Sequence, residues 1–323
     1  MEDEPDYQLS RYCSSVSWYE VWQDFTNRTR VAFLTSMRKP RLLLVHAHPD
    51  DETINNGVTM AKYVAMGYGV TLVTCTRGEE GEILVPELEH LASGKEDALG
   101  PVREVELANA MKVLGVSDHR FLGSPSKSWR DSGMMESEPN SRKDNFWNAD
   151  VNQAAESLVE VILEIKPDVM ITYDEIGGYG HPDHIQAHRV AMRASELAAQ
   201  RGWQIQKIYW NTIPISIIEQ GIEAMKGSGS DFWGVEKAED FPFAQPDNLV
   251  TTVIDGQDFV EKKMDAMRAH PTQIAVDGPF FALSDNLGFK VWGQEYYRLV
   301  HGKASAPFNE EGRETDLFSG VQL

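Results

Sequence analysis

The chain has 323 residues and 41% hydrophobic content, enough for the core of one large domain or two ordinary ones. Thirty basic residues stand against fifty acidic ones, a formal net charge of -20, and the resulting field argues against unassisted binding to nucleic acid or anionic lipid. With only two cysteines, Cys13 and Cys75, and no CxxC pair, neither a disulfide framework nor a thiolate zinc site is suggested.

The opening MEDEPD lacks the basic and apolar regions of a secretory signal, and no apolar run approaches the ~18 residues of a membrane span, so a cytoplasmic protein is expected. An aromatic-rich stretch follows, in which Val21, Trp22, Phe25, Val31 and Phe33 roughly share one face of a docking helix. Alternatively, Met37 opens the folded part, and residues 1–40 are an accessory arm or a start-site artefact.

From Arg41 onward, short apolar runs alternate with helical patterns. Leu42 to Val45 reads as a buried strand, Thr53 to Met66 as a helix ended by Gly67, and Val70 to Cys75 as a second strand. Pro101 to Leu114 is a helix with Gly115 after it, and Phe121 and Leu122 belong to a short third strand. Val151 to Ile165 is helical, Val169 to Tyr173 a strand, His184 to Gln200 a helix, and Ile208 to Trp210 a further strand. Beyond residue 215 the pattern weakens to a loop-like KGSGSD at 226–231, a strand candidate at Leu249 to Ile254 and a helix from Gln257 to Ala269. Strands separated by helices predict an α/β, Rossmann-like fold: a mostly parallel sheet covered on both faces, with a C-terminal extension completing the pocket. Polar clusters at 46–52, 76–82 and 174–184 all follow strands, so they meet at the edge where such sheets bind ligands.

Two of these clusters carry metal chemistry. In HPDDE, His48 and Asp51 are three residues apart around a turn and can converge on one point, with Asp50 alongside. In GGYGHPDH, His181 and His184 repeat that spacing around Asp183. Two histidines and a carboxylate with an open position make up a catalytic zinc site, and iron uses the same donors. Helix capping alone accounts for a single aspartate at such a turn, but hardly for two His-Pro-Asp turns at strand ends. Glu82 faces either a polar ligand or solvent; Arg103 either clamps a ligand oxygen or pairs with Glu104 or Glu106; Asp131, in SWRDSGM, bonds a sugar hydroxyl or caps a turn.

These motifs resemble the zinc-dependent N-acetylglucosaminyl deacetylase superfamily, marked by an HPDDE turn and a downstream HPDH turn. WRDSGM and GGYGHPDH narrow the resemblance to the mycothiol branch, which hydrolyses the acetamide of N-acetyl-glucosaminyl-inositol, and VTCTRGEEGE, ALSDNL and ETDLF also fit it. It covers Arg41 almost to the C-terminus, implying an N-terminal extension (1–40) and a deacetylase domain (41–323) with a metal-binding core at 41–212 and a pocket-completing part at 213–323.

The resemblance implies one Zn2+ per subunit, with Fe2+ the competitor, held by His48, Asp51 and His184. It implies Asp50 as general base, His181 as the imidazolium that stabilises the oxyanion and protonates the leaving amine, and Tyr179 as an oxyanion assistant. Asp183 would tune the histidines, favouring charge on His181, while Glu82, Arg103 and Asp131 contact sugar and inositol. The implied partner is a small pseudodisaccharide; no oligomeric state is implied. The nearest competitor in the branch is the amidase of mycothiol S-conjugates, which carries a Lys just after HPDDE and an Arg in the GEEGE-like loop, where this chain has Asn55 or Asn56 and Glu80. A non-catalytic metal- or sugar-binding protein is the alternative from another class.

Overall fold

The computed structural model describes residues 38–225, 237–241, 243–276 and 293–323. The docking helix expected before Arg41, the KGSGSD loop and the ALSDNL stretch lie outside the described residues. Pro40 to Gln322 forms one compact unit.

Among the described residues, eight strands build its sheet: β1 (Arg41–His46), β2 (Gly69–Thr74), β3 (Asp118–Phe121), β4 (Val169–Thr172), β5 (Lys207–Pro214), β6 (Ala244–Gln245), β7 (Thr252–Asp255) and β8 (Gln294–His301). The strand order is β3-β2-β1-β4-β5-β8-β7, with the short β6 beside β5. The first five strands pair in parallel, whereas β8 runs antiparallel to both β5 and β7. Chain order reverses between β1 and β4, the crevice where open α/β sheets bind ligands.

The helices are α1 (Asp51–Ala65), α2 (Leu99–Leu114), α3 (Val151–Ile165), α4 (Pro182–Gln200), α5 (Ile215–Met225) and α6 (Val260–Arg268). Strand β1 shows why both faces are covered, since its side chains alternate between two apolar clusters. Leu43 and Val45 pack with Leu158 and Ile162 of α3 and Val190 and Ala194 of α4. Leu42 and Leu44 face Met60 of α1, Leu107 and Met111 of α2, and Leu317 and Phe318 near the C-terminus. The Rossmann-like expectation is met, and the region after residue 215 adds α5, β6 and β8 to the anticipated strand and helix. Strand β8 seats the C-terminal part directly in the sheet.

Candidate metal centre and active site

Two turns meet at the switch point. Strand β1 ends at His46, and the HPDD turn leads into α1 at Asp51. Strand β4 ends at Thr172, and a glycine-rich turn, Gly177–Gly180, leads to His181, the N-cap of α4, with Pro182 at the favoured first position. Because β1 and β4 are paired neighbours, the turns bring His48, His181 and His184 together, each offering a ring nitrogen within 4.8 Å of the others. Asp51 touches two of them, with Oδ2 3.5 Å from His48 Nδ1 and Oδ1 3.4 Å from His184 Nε2.

Hydrogen bonds fix the roles of the rings. His184 Nδ1 lies 3.2 Å from the Gly177 carbonyl, which can only accept, so its hydrogen is on Nδ1 and the Nε2 lone pair faces inward. That Nε2 is buried and makes no hydrogen bond. His48 Nε2 faces Asp183 Oδ2 at 3.3 Å and Asp131 Oδ1 at 3.6 Å, and its Nδ1 faces Asp51; burial disfavours charge on this ring, but the three carboxylates outweigh it and hold its pKa well above the ordinary imidazole value. His184 thus has an outer N–H held by an acceptor and an inner nitrogen without a hydrogen bond, the arrangement of metal-ligating histidine, while His48 has carboxylates on both ring nitrogens, the inner one the Asp51 that also faces His184. His181 is the opposite case: its Nδ1 accepts the Asp183 amide N–H at 3.1 Å, so the hydrogen sits on Nε2. Burial, then the neighbouring His48 and His184, push the His181 pKa down to about 3. The residues fit a metal ion, with two imidazoles and one carboxylate facing one another, and one of those imidazole nitrogens, His184 Nε2, buried and without a hydrogen bond.

Asp50 does not cap α1 with its side chain. It adopts φ 126°, a positive value that costs a non-glycine residue about 1–3 kcal/mol and persists only where the surroundings hold it. The carboxylate lies 3.0 Å from the Arg103 guanidinium, which also donates to the Pro49 and Gly78 carbonyls. Burial raises the Asp50 pKa to about 6, although Arg103 works against it.

Other anticipated residues are distributed around this centre. Tyr179 is 44% exposed at the mouth, its ring 4.9 Å from that of His184. Asp183 departs from its expected partner: its carboxylate accepts from Ser132 N and Oγ and faces His48, reaching His181 only through its backbone. The reason is the helix start: the His181 ring caps α4 by accepting the Asp183 N–H, while the Asp183 carboxylate reaches across to His48 of the β1 turn. Asp131 is buried, accepting from Glu80 N and Gly133 N, while Arg103 is buried beneath Asp50. Glu82 is exposed, and its carbonyl accepts from Gln273. Asn56 is bonded to His46, Asn211 and Tyr297; Asn55 caps back to the Asp51 carbonyl; Glu80 pairs with Arg130.

Sequence reasoning passed over Tyr173, which stacks on His184 at 4.3 Å and whose hydroxyl accepts the Ala47 N–H. It also passed over Glu52 and His270, a buried pair behind Asp50. The terminal Glu of HPDDE was a signal for the first; nothing in the HPTQ of 270–273 marks the second.

The family described as GlcNAc-PI de-N-acetylase matches residues 43–195. A 1D-myo-inositol 2-acetamido-2-deoxy-alpha-D-glucopyranoside deacetylase of Geodermatophilus obscurus is 56% identical over 291 residues, covering 87% of this chain and 98% of that protein. The Streptomyces avermitilis protein of the same name is 54% identical, covering 87% and 97%. Among solved structures, a conserved protein of Thermus thermophilus aligns with TM-score 0.52 at 19% identity, covering 84% of this chain and all of that one. The N,N'-diacetylchitobiose deacetylase of Pyrococcus horikoshii aligns with TM-score 0.51 at 18% identity, covering 90% and 95%. These two likenesses concern the fold.

Proposed function

The chain belongs to the GlcNAc-PI de-N-acetylase family, and from that premise we propose that it hydrolyses the acetamide of 1D-myo-inositol 2-acetamido-2-deoxy-alpha-D-glucopyranoside, releasing acetate and glucosaminyl-inositol for mycothiol biosynthesis. It is an amide hydrolase, which sets aside the non-catalytic alternative. The observation that carries the reading is the convergence of His48, Asp51 and His184 on one point, with the His184 Nε2 unbonded.

His48 through Nδ1, Asp51 and His184 through Nε2 are the proposed ligands, and the imidazole and carboxylate donors favour zinc, with iron the competitor. When bound, the metal supplies Lewis acidity, polarising the acetamide carbonyl and lowering the pKa of water from about 15.7 toward about 7. Asp50 then accepts the proton of the attacking water, which its raised pKa suits it to do near neutrality. His181, with hydrogen on Nε2, donates to the acetamide oxygen as negative charge develops, and Tyr179 closes over that oxygen from the mouth. As the C–N bond breaks, the leaving nitrogen takes up a proton, and His181 and Asp50 are its two proposed carriers, Asp50 holding the one received from the attacking water.

Asp183 and Asp131 hold the outer nitrogen of His48, so their part is orientation of that ring. Glu82, exposed at the end of its loop, is proposed to meet the hydroxyls of the sugar or inositol. The proposed compartment is cytoplasmic; among the described residues no helix is long and apolar enough to cross a membrane.

The test is incubation of zinc-loaded protein with N-acetyl-glucosaminyl-inositol and detection of the free amine. Asp50→Ala should keep its zinc while turnover falls by a factor on the order of 10² or more. Faster cleavage of a bimane conjugate of mycothiol would replace the deacetylase reading with the amidase one.

A further inference from the structure

Behind the catalytic turn, remote from solvent, lies a second constellation. Glu52 and His270 are both fully buried, with His270 Nε2 3.2 Å from Glu52 Oε1. The same Oε1 accepts the Thr53 hydroxyl at 2.6 Å, and Oε2 accepts the Asp50 backbone N–H at 2.9 Å. Three donors therefore engage the Glu52 carboxylate, and one of them is the amide of the residue with the strained backbone.

We infer that Glu52 and His270 are a positioning pair that holds Asp50 in its positive-φ conformation and so aims its carboxylate at the attacking water. The inference rests on the reading of Asp50 as general base and adds the device that presents it. A residue at φ 126° relaxes when its amide is free to rotate, and rotation of that amide swings the Cα–Cβ bond carrying the carboxylate. Glu52 prevents this by holding the N–H, and His270 prevents Glu52 from turning away.

His270 is itself fixed from two sides. Its backbone N–H donates to Met267 at the end of α6, and its carbonyl accepts from Gln273 and Ile274. Two residues on, Thr272 donates from both N–H and hydroxyl to Glu106 of α2, at 3.1 and 2.7 Å. Glu106 lies one turn beyond Arg103, which grips the Asp50 carboxylate. One helix thus anchors both restraints, Arg103 on the side chain and, through the 270–274 loop, Glu52 on the backbone.

The experiment is a double-mutant cycle on the zinc-loaded enzyme, reading kcat, KM, bound zinc and melting temperature. His270→Leu should lower kcat roughly 10- to 100-fold with KM changed much less and zinc retained, the cost of misplacing one group by about 1 Å. His270→Gln, which restores an N–H donor, should recover most of that loss. In an Asp50→Ala background His270→Leu should cost nothing further, because the group it positions is gone. A kcat within about twofold of wild type for His270→Leu, or an equal loss in both backgrounds, overturns the positioning role. If His270→Leu does not fold, Glu52→Gln enters the same cycle with the same expectations. Full activity of Asp50→Ala alone is a separate outcome, which removes the general-base reading and this inference with it.

Discussion

The Arg103 guanidinium lies 3.0 Å from the Asp50 carboxylate, and Arg103 is only 3% exposed. That burial separates two uses of the same arginine. A residue that clamps substrate contributes to binding, whereas one paired with the proposed base contributes to the chemical step. Arg103→Ala should therefore lower kcat by about tenfold or more and raise KM much less. Michaelis kinetics decide it: a raised KM at constant kcat would return Arg103 to the substrate-contacting role that the resemblance implies.

Metal removal should separate chemistry from fold. The two main apolar clusters are built from sheet and helix side chains such as Leu43, Leu44, Ile171 and Val190, none of them at the metal centre. Chelation should cut turnover by on the order of 10²-fold or more, leave the far-UV circular dichroism unchanged, and be reversed by added zinc. Loss of secondary structure on chelation would mean that the metal also holds the β1 and β4 turns in place.

The two His-Pro-Asp turns are legible in the sequence because a metal site demands particular residue types at a fixed spacing, and strand ends locate them. The parallel half of the sheet is legible for a related reason: β1, β2 and β4 are buried on both faces and read as short apolar runs. Strand β8, QEYYRLVH, is not, since its charged and aromatic residues give no clean alternation. What stayed hidden at the site were partnerships over long separations. Asp183 turns to His48, 135 residues away, and His270 to Glu52, 218 residues away. Local periodicity carries no record of such pairs, because only the packed fold decides which acceptor faces which ring.

His188 gives a pH dependence with a defined sign. Its Nδ1 donates to the Tyr173 carbonyl at 2.9 Å and its ring packs 5.1 Å from Trp210. Burial lowers its pKa below the ordinary imidazole value, although the Tyr173 carbonyl, Glu175 and Asp174 oppose the shift. The unfolded chain therefore takes up a proton at about pH 6.5, where the folded protein does not, so stability present above that pH is lost as pH falls through it. The drop in urea midpoint between about pH 7.5 and 5.5 should be smaller in His188→Gln than in wild type. Equal drops would show that His188 titrates alike in both states.

Gly177 has φ 65°, and a Cβ placed there would lie 2.6 Å from the Cβ of His184 and 2.7 Å from the Ile185 nitrogen. Both neighbours belong to α4, so neither can yield without moving the helix start. The Gly177 carbonyl is also the acceptor that fixes the His184 tautomer. Gly177→Ala thus adds a left-handed penalty of about 1–2 kcal/mol to a clash aimed at a proposed ligand. The variant should bind zinc about 10- to 100-fold more weakly than wild type in competition with a chromogenic chelator, as expected when a ligand's orienting contact is disturbed. Gly180→Ala is the control, since it shares the positive φ, at 87°, but a Cβ there meets nothing within 4 Å. Both variants pay the backbone penalty, so a comparable loss of zinc affinity in the two would trace the effect to turn strain, whereas a loss confined to Gly177→Ala places it in the contact with His184.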